Sequence, residues 1–250
     1  MATQAPRPGP DGRRHPGEDG APAEAAAPQV TPPPAPAPPR TVACQDRDFV
    51  EWHGGCRQAL VWAALVDTDG VREAVAAARG RLADVLLPRY ERRPHVTVAY
   101  AGLLPTPGAT PAEQPYGPDR LARDILTLRR LAARPFRVQV GGWGSFPMVP
   151  YLSAGAPELH RAHAALGGGS TVETYVPHVT VGHYAVSRPL AEVAARLHGW
   201  AAPRVEVEVS EWALMAYETH DIAGPLDIVG VLSLADGTWS GEAPLTGRVQ

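Results

Sequence analysis

One five-residue string, Pro-His-Val-Thr-Val, occurs twice in this 250-residue chain, at 94–98 and again at 177–181. On a flat alphabet, chance produces such a repeat in roughly one chain of this length in a hundred. Each copy opens a segment that reads as a β-strand. Successive side chains of a strand point to opposite faces, so His95 and Thr97 share one face while Val96 and Val98 share the other. The same alternation pairs His178 with Thr180 and Val179 with Val181. The valines ask for a core. The imidazole and the hydroxyl, about 7 Å apart along each strand, face whatever lies opposite.

Two such strands set side by side make a cleft that holds two imidazoles and two hydroxyls. That set suits in-line cleavage of a phosphodiester. One imidazole takes a proton from the attacking oxygen, and the other gives one to the leaving oxygen on the far side of phosphorus. Histidine can do either near neutrality because its ordinary pKa is about 6.5. Thr97 and Thr180 are candidate phosphate contacts, donating to the non-bridging oxygens as charge builds there. Two other readings stand beside this one. The cleft could bind a nucleotide or RNA end without turning it over, or the histidines could be metal ligands. Against the metal reading, the threonine two residues after each histidine supplies no ligand, and no Asp or Glu stands at a metal spacing. We expect no metal and no cofactor.

The two motifs resemble the paired His-x-Thr-x signatures of the 2H phosphoesterase superfamily, which includes the 2'-5' RNA ligase and RNA 2',3'-cyclic phosphodiesterase family. The likeness extends beyond the motifs. His95 to Gly102 is similar to the family's first motif strand, with an aromatic (Tyr100) and a glycine after the motif. Phe136 through Phe146-Pro147 to Tyr151-Leu152 resembles its middle hairpin. Tyr175 to Val181 matches the second motif with its preceding aromatic, and Glu206 to Thr219 resembles its late strand. One departure is His183, at the position where the ligase-like branch usually carries Arg. The resemblance implies a bilobal α+β fold, two antiparallel sheets flanked by helices around a central cleft. It implies His95 and His178 as the acid–base pair, and as substrate a nucleotide or RNA terminus with a 2',3'-cyclic phosphate or a 2'-5' linkage. Weak RNA ligation is the reverse of that chemistry.

Tyr100, Trp143, Phe146, Tyr151 and Tyr184 could stack on a base, although most strand aromatics are core and at best one or two are ligand contacts; Tyr100, Phe146 and Tyr151 are the candidate substrate contacts, as is His183 if Gly182 marks a bulge. Arg92 and Arg93, just before His95, either attract phosphate or are solvated loop charges. His160 and His163 read as a solvated helix face. Cys44, His53 and Cys56 match no zinc spacing.

Composition sets the outer limits. The formal charge of −3 argues against a protein that grips duplex DNA through its phosphates. All 23 basic residues are Arg, and the chain contains no Lys and no Asn, a bias we read as G/C-rich coding rather than function. The longest apolar run, 59–66, is far short of the ~20 residues of a membrane helix. No secretory signal is evident, so the expectation is a cytoplasmic monomer that engages no membrane. Residues 1–40 hold 12 of the 28 prolines and little to bury. The expected organisation is a disordered Pro/Ala-rich extension over 1–57, a domain over 58–236, and a tail over 237–250. Within the domain the pattern predicts strands at 59–67, 95–103, 136–140, 149–153, 175–184, 205–217 and 227–234. Helices are expected at 71–87, 119–133, 158–166 and 189–198.

Overall fold

The computed structural model describes residues 39–111, 115–132, 134–167 and 175–241. Of the extension expected over 1–57, residues 1–38 lie outside that set, as do residues 242–250 of the tail expected over 237–250; within that tail Trp239–Gly241 form a sheet strand instead. In chain order the elements are α1 (Val50–His53), β1 (Gln58–Leu65), α2 (Asp69–Arg81), β2 (His95–Leu103), α3 (Pro118–Arg130), β3 (Phe136–Ser145), β4 (Pro150–Gly155), α4 (Pro157–Ala165), β5 (His178–Thr180), α5 (Leu190–Leu197), β6 (Val205–Val209), β7 (Glu211–Glu218), β8 (Asp227–Ser233) and β9 (Trp239–Gly241).

The strands form two antiparallel sheets, β2-β1-β7-β8-β9 and β5-β4-β3-β6, so the fold is α+β as expected. Each motif strand is the end strand of its own sheet, and the two ends, β2 and β5, pack against one another. A single apolar cluster joins the sheets. It takes Leu60, Trp62, Val96 and Val98 from the first sheet and Val138, Val140, Leu152 and Val179 from the second. Helices α2, α3 and α4 add Val71, Leu121 and Leu159.

Four of the differences from the sequence expectation shape the site and its surroundings. The stretch 205–217, expected as one strand, breaks at Ser210 and serves both sheets: β6 pairs with β3, and β7 pairs with β1. The inward parity changes there, from Val207 and Val209 to Trp212, Leu214 and Ala216, which one continuous strand cannot do. The second motif strand spans only 178–180, because the chain leaves β4 after Thr180. Helix α2 ends at Arg81, where the Leu82 N–H divides between the carbonyls of Ala78 and Arg79. Finally, residues 39–57 are packed on the domain rather than extended away from it. Thr41, Cys44, His53 and Cys56 are buried, and the Cys44 N–H donates to the Tyr184 carbonyl at 2.7 Å.

The first sheet is tied to α3 by one carboxylate. Asp124 accepts from the Trp62 indole N–H (3.0 Å) and from the Tyr116 hydroxyl (2.8 Å), and both donors belong to fully buried side chains. Removing it leaves two desolvated donors without an acceptor, each costing about 1–3 kcal/mol. Asp124→Ala is therefore expected to lower the unfolding free energy by about 3 kcal/mol in a urea titration followed by tryptophan fluorescence, with Asp124→Asn retaining more of it.

Candidate active site

The site begins with the two repeated strands. His95 pairs across the sheet with Leu65, and Thr97 with Ala63. On the second sheet, His178 pairs with Ser153 and Thr180 with Tyr151. The valines of both copies are buried in the shared cluster, so both imidazoles and both hydroxyls lie on the faces turned away from it. The two motifs are also tied directly. The Tyr175 hydroxyl, three residues before His178, donates to the Thr97 carbonyl at 2.8 Å. Tyr175 is itself stacked on His163, whose Nδ1 is 2.7 Å from the Val98 carbonyl. His163 is thus a buried brace, a correction to its reading as part of a solvated face. The alternation of α4 turns it inward beside Leu159 and Ala162.

The two histidines are held identically. His95 Nδ1 lies 2.8 Å from the Arg93 carbonyl, and His178 Nδ1 lies 2.8 Å from the Val176 carbonyl, in each case two residues back. A carbonyl can only accept, so Nδ1 carries the hydrogen and Nε2 is left as the atom that can exchange a proton. The environments differ in degree. His95 is 7% exposed, and burial pushes its pKa down to about 4, with the charges of Arg92 and His178 adding to the effect. His178 is less buried, and desolvation moves it below 6.5. Both imidazoles are therefore biased toward the neutral form.

Around His178, Phe146 stands edge-on at 5.0 Å and Tyr151 lies at 5.4 Å, the two aromatics packing on each other at 4.6 Å. The Tyr151 ring lies across Gly144 on the neighbouring strand, where a Cβ would come within 2.5 Å of it. That close approach explains the glycine-broken pattern of β3. Phe146 and Tyr151 thus wall His178. Tyr184 is fully buried, its hydroxyl on Ser145.

The third group was only partly visible in the sequence. Loop 88–94 crosses toward loop 219–226, pinned by the Arg89–Asp221 ion pair and by the Glu91 N–H donating to Ala223. It carries Tyr90 and Arg92 into the site. The Tyr90 hydroxyl shares a hydrogen bond with Thr180. The positive charge of Arg92 reaches four titratable groups: it adds to the burial that lowers the pKa of His95 and His183, and it partly offsets the burial that raises the pKa of Tyr90 and Tyr217. One Arg92 Nη donates to the Ile222 carbonyl at 3.0 Å, and its guanidinium lies 4.6 Å from the centre of the Tyr217 ring. Its Nε is buried with no hydrogen-bond partner among the described residues. Arg93, by contrast, is exposed.

His183 joins this group without any bulge in a regular strand, because β5 has already ended. Its ring meets Tyr90 edge-on at 5.6 Å, and its Nδ1 is buried without a partner among the described residues. Burial, with Arg92 and Arg79 nearby, pushes its pKa to about 4. The arrangement therefore presents two neutral imidazoles, two hydroxyls and an arginine whose Nε lacks an acceptor. Among the described residues no three His, Cys, Asp or Glu side chains are grouped to hold a metal ion, and no helix is long and apolar enough to cross a membrane.

The chain has no match among curated proteins. Its structure is similar to that of TT0787 of Thermus thermophilus, with a TM-score of 0.47 at 19% identity over 71% of this chain and 99% of that one. It is also similar to E. coli LigT crystallised with 3'-AMP (TM-score 0.46, 17% identity, 72% of this chain and 99% of LigT). LigT crystallised with ATP gives 0.43 at 15% identity, again over 72% and 99%. The family model of the 2'-5' RNA ligase superfamily matches residues 66–221, which include both motifs, loop 88–94 and His183. The chain belongs to the 2'-5' RNA ligase superfamily, the 2H phosphoesterases.

Proposed function

We propose that this protein is a metal-independent phosphodiesterase that opens the 2',3'-cyclic phosphate, or cleaves a 2'-5' linkage, of a nucleotide or RNA end. The observation that carries this reading is the matched pair of imidazoles, each with Nδ1 fixed on a backbone carbonyl and Nε2 free for a proton. His95, the more deeply buried, is the general base that takes the proton of the attacking water. His178 is the general acid that protonates the departing ribose oxygen. Thr97 and Thr180 donate to the non-bridging oxygens, and Tyr90 orients the Thr180 hydroxyl. Arg92 supplies the positive charge toward which the anionic phosphorane develops, and its unsatisfied Nε is the donor available for it. His183 lies at this end of the site as a neutral donor or acceptor. Phe146 and Tyr151 keep the His178 ring upright, and Tyr100 belongs to a more distant part of the same face. The bound phosphate repays the desolvation of Arg92 and raises the pKa of whichever imidazole must be charged.

Three outcomes follow from these assignments. His95→Ala and His178→Ala should each lower kcat/KM on a nucleoside 2',3'-cyclic phosphate by about 10³-fold, with the double variant little worse than either single one. Wild-type rates in either variant would refute the acid–base pair. Arg92→Gln should cost about 100-fold in kcat/KM, and Arg92→Lys less, read by steady-state kinetics on the same substrate. The pH profile follows from burial. Desolvation disfavours the imidazolium, so both limbs move down from 6.5. His95 must lose its proton, giving an acid limb near 4, and His178 must keep its own, giving a basic limb below 6.5. A plot of kcat/KM against pH for the free enzyme is expected to peak between those values, and a maximum above pH 7 would exclude this assignment.

A further inference from the structure

The face of the first sheet that carries His95 and Thr97 continues beyond them. By strict alternation Tyr100 would join Val96 and Val98 in the core. The register shifts where Trp62 pairs with Ala99 and Ala63 with Thr97, so Val98 is the extra residue of a bulge and Tyr100 comes back to the histidine face, opposite Val61. There it is 37% exposed. Tyr217 of β7 reaches the same region, since Ala59 is its cross-strand partner and Val61 pairs with Met215. The third ring is Trp52 of α1, which is 40% exposed. It lies 6.4 Å from Tyr217, with the ring planes only 11° apart, and 6.4 Å from Tyr100. Tyr217 also carries the Arg92 guanidinium, 4.6 Å from its ring centre. The three aromatics are thus continuous, through Arg92, with the pair of histidines.

Trp52 does not arrive there by chance contact. Its short helix ends on Gly54 in the left-handed region (φ 57°), and a Cβ at Gly54 would meet the Thr110 carbonyl at 2.5 Å. The Thr110 N–H donates to the Gly54 carbonyl at 2.8 Å. The buried His53 Nε2 is hydrogen-bonded to Asp48, and the Gly55 N–H donates to its Nδ1. The helix that presents Trp52 is therefore fixed from both sides, and it holds the indole against Tyr217 and Tyr100 with the residue still 40% exposed.

We propose that Trp52, Tyr100 and Tyr217 form a stacking platform for an unpaired nucleobase of a single-stranded RNA whose terminal phosphate lies between His95 and His178. The inference rests on the phosphodiester reading above and adds to it a substrate class, oligonucleotide ends in preference to mononucleotides. Three features select that occupant. Aromatic faces stack any base, and each stacked base is worth about 1–3 kcal/mol. Arg92 links the platform to the phosphate site with a positive charge that follows the backbone. The third is reach: with Val98 bulged out, Tyr100 lies opposite Val61 and His95 opposite Leu65, four residues apart on β1 or about 13 Å of strand, which is farther than the terminal nucleoside spans. The base on the platform therefore belongs to a nucleotide preceding the terminal one.

The test compares an unpaired hexaribonucleotide ending in a 2',3'-cyclic phosphate with the corresponding nucleoside 2',3'-cyclic phosphate, on the full-length protein. The wild type is expected to favour the hexanucleotide by about tenfold or more in kcat/KM through a lower KM. Trp52→Ala should abolish most of that preference, while Trp52→Phe, which keeps an aromatic face, should retain it. Equal use of the two substrates by the wild type, or an undiminished preference in Trp52→Ala, overturns the platform and leaves hydrolysis standing. A second measurement separates the two proposals. Anisotropy of a fluorescein-labelled hexanucleotide ending in a 3'-phosphate reports binding without turnover. Binding that weakens about tenfold in Trp52→Ala supports the platform even where no cyclic phosphate is hydrolysed, an outcome that would defeat only the catalytic reading.

Discussion

The valines of the two repeats, Val96 and Val98 on one side and Val179 and Val181 on the other, are buried in one apolar cluster that runs between the sheets. Burying each contributes about 1.5–3 kcal/mol, and those contributions are collected only when both end strands turn the same way toward that cluster. Strand alternation then leaves no choice for the intervening residues. His95, Thr97, His178 and Thr180 must face away from the core, on adjoining edges, with the Tyr175 hydroxyl on the Thr97 carbonyl holding the edges in register. Each sheet alone would present one imidazole and one hydroxyl. The shared core makes them a pair.

The electrostatics of the cleft follow from the same packing. A histidine as buried as His95 resists charging, and a nearby arginine makes it resist further. Arg92 is set there by loop 88–94, itself held to loop 219–226 through Arg89 and Asp221. The cleft therefore sets one arginine beside His95 and His183, which burial and that charge bias toward the neutral form, and beside Tyr90 and Tyr217, whose pKa values burial raises. The position where the resemblance leads one to expect arginine after the second motif is His183, and Arg92, arriving from the first half of the chain, lies beside it. A cation missing from one loop can thus be supplied by another that packs against it.

Much of this could be read from the residues. The repeat marked the two strands, and the parity within each copy marked which side chains leave the core. The parity change at Ser210 was equally present, with valines at 205, 207 and 209 giving way to apolar residues at 212, 214 and 216, yet it passed for one long strand. The 39–57 segment misled for a different reason. It has no periodicity, and its burial comes from scattered contacts of Thr41, Cys44, His53 and Cys56 rather than from one face. His163 misled because a histidine on a short helix is usually solvated, and only the stacked Tyr175 ring and the Val98 carbonyl make it a brace.

From the sequence alone came the expected chemistry: two His-x-Thr strands whose alternation separates candidate site residues from core side chains, a property of extended backbone that needs no knowledge of what lies opposite. Tertiary structure alone decided which other residues share the cleft. Trp52, the Tyr90–Arg92 pair, Tyr217 and His183 lie on four different segments with no common spacing. They converge because a bulge turns β2 over, because the strand after Val209 changes sheets, and because a loop is pinned by an ion pair 132 residues away in the chain. Local periodicity records the direction of a side chain within its own element. Which elements meet is settled by how their apolar faces can all be buried at once.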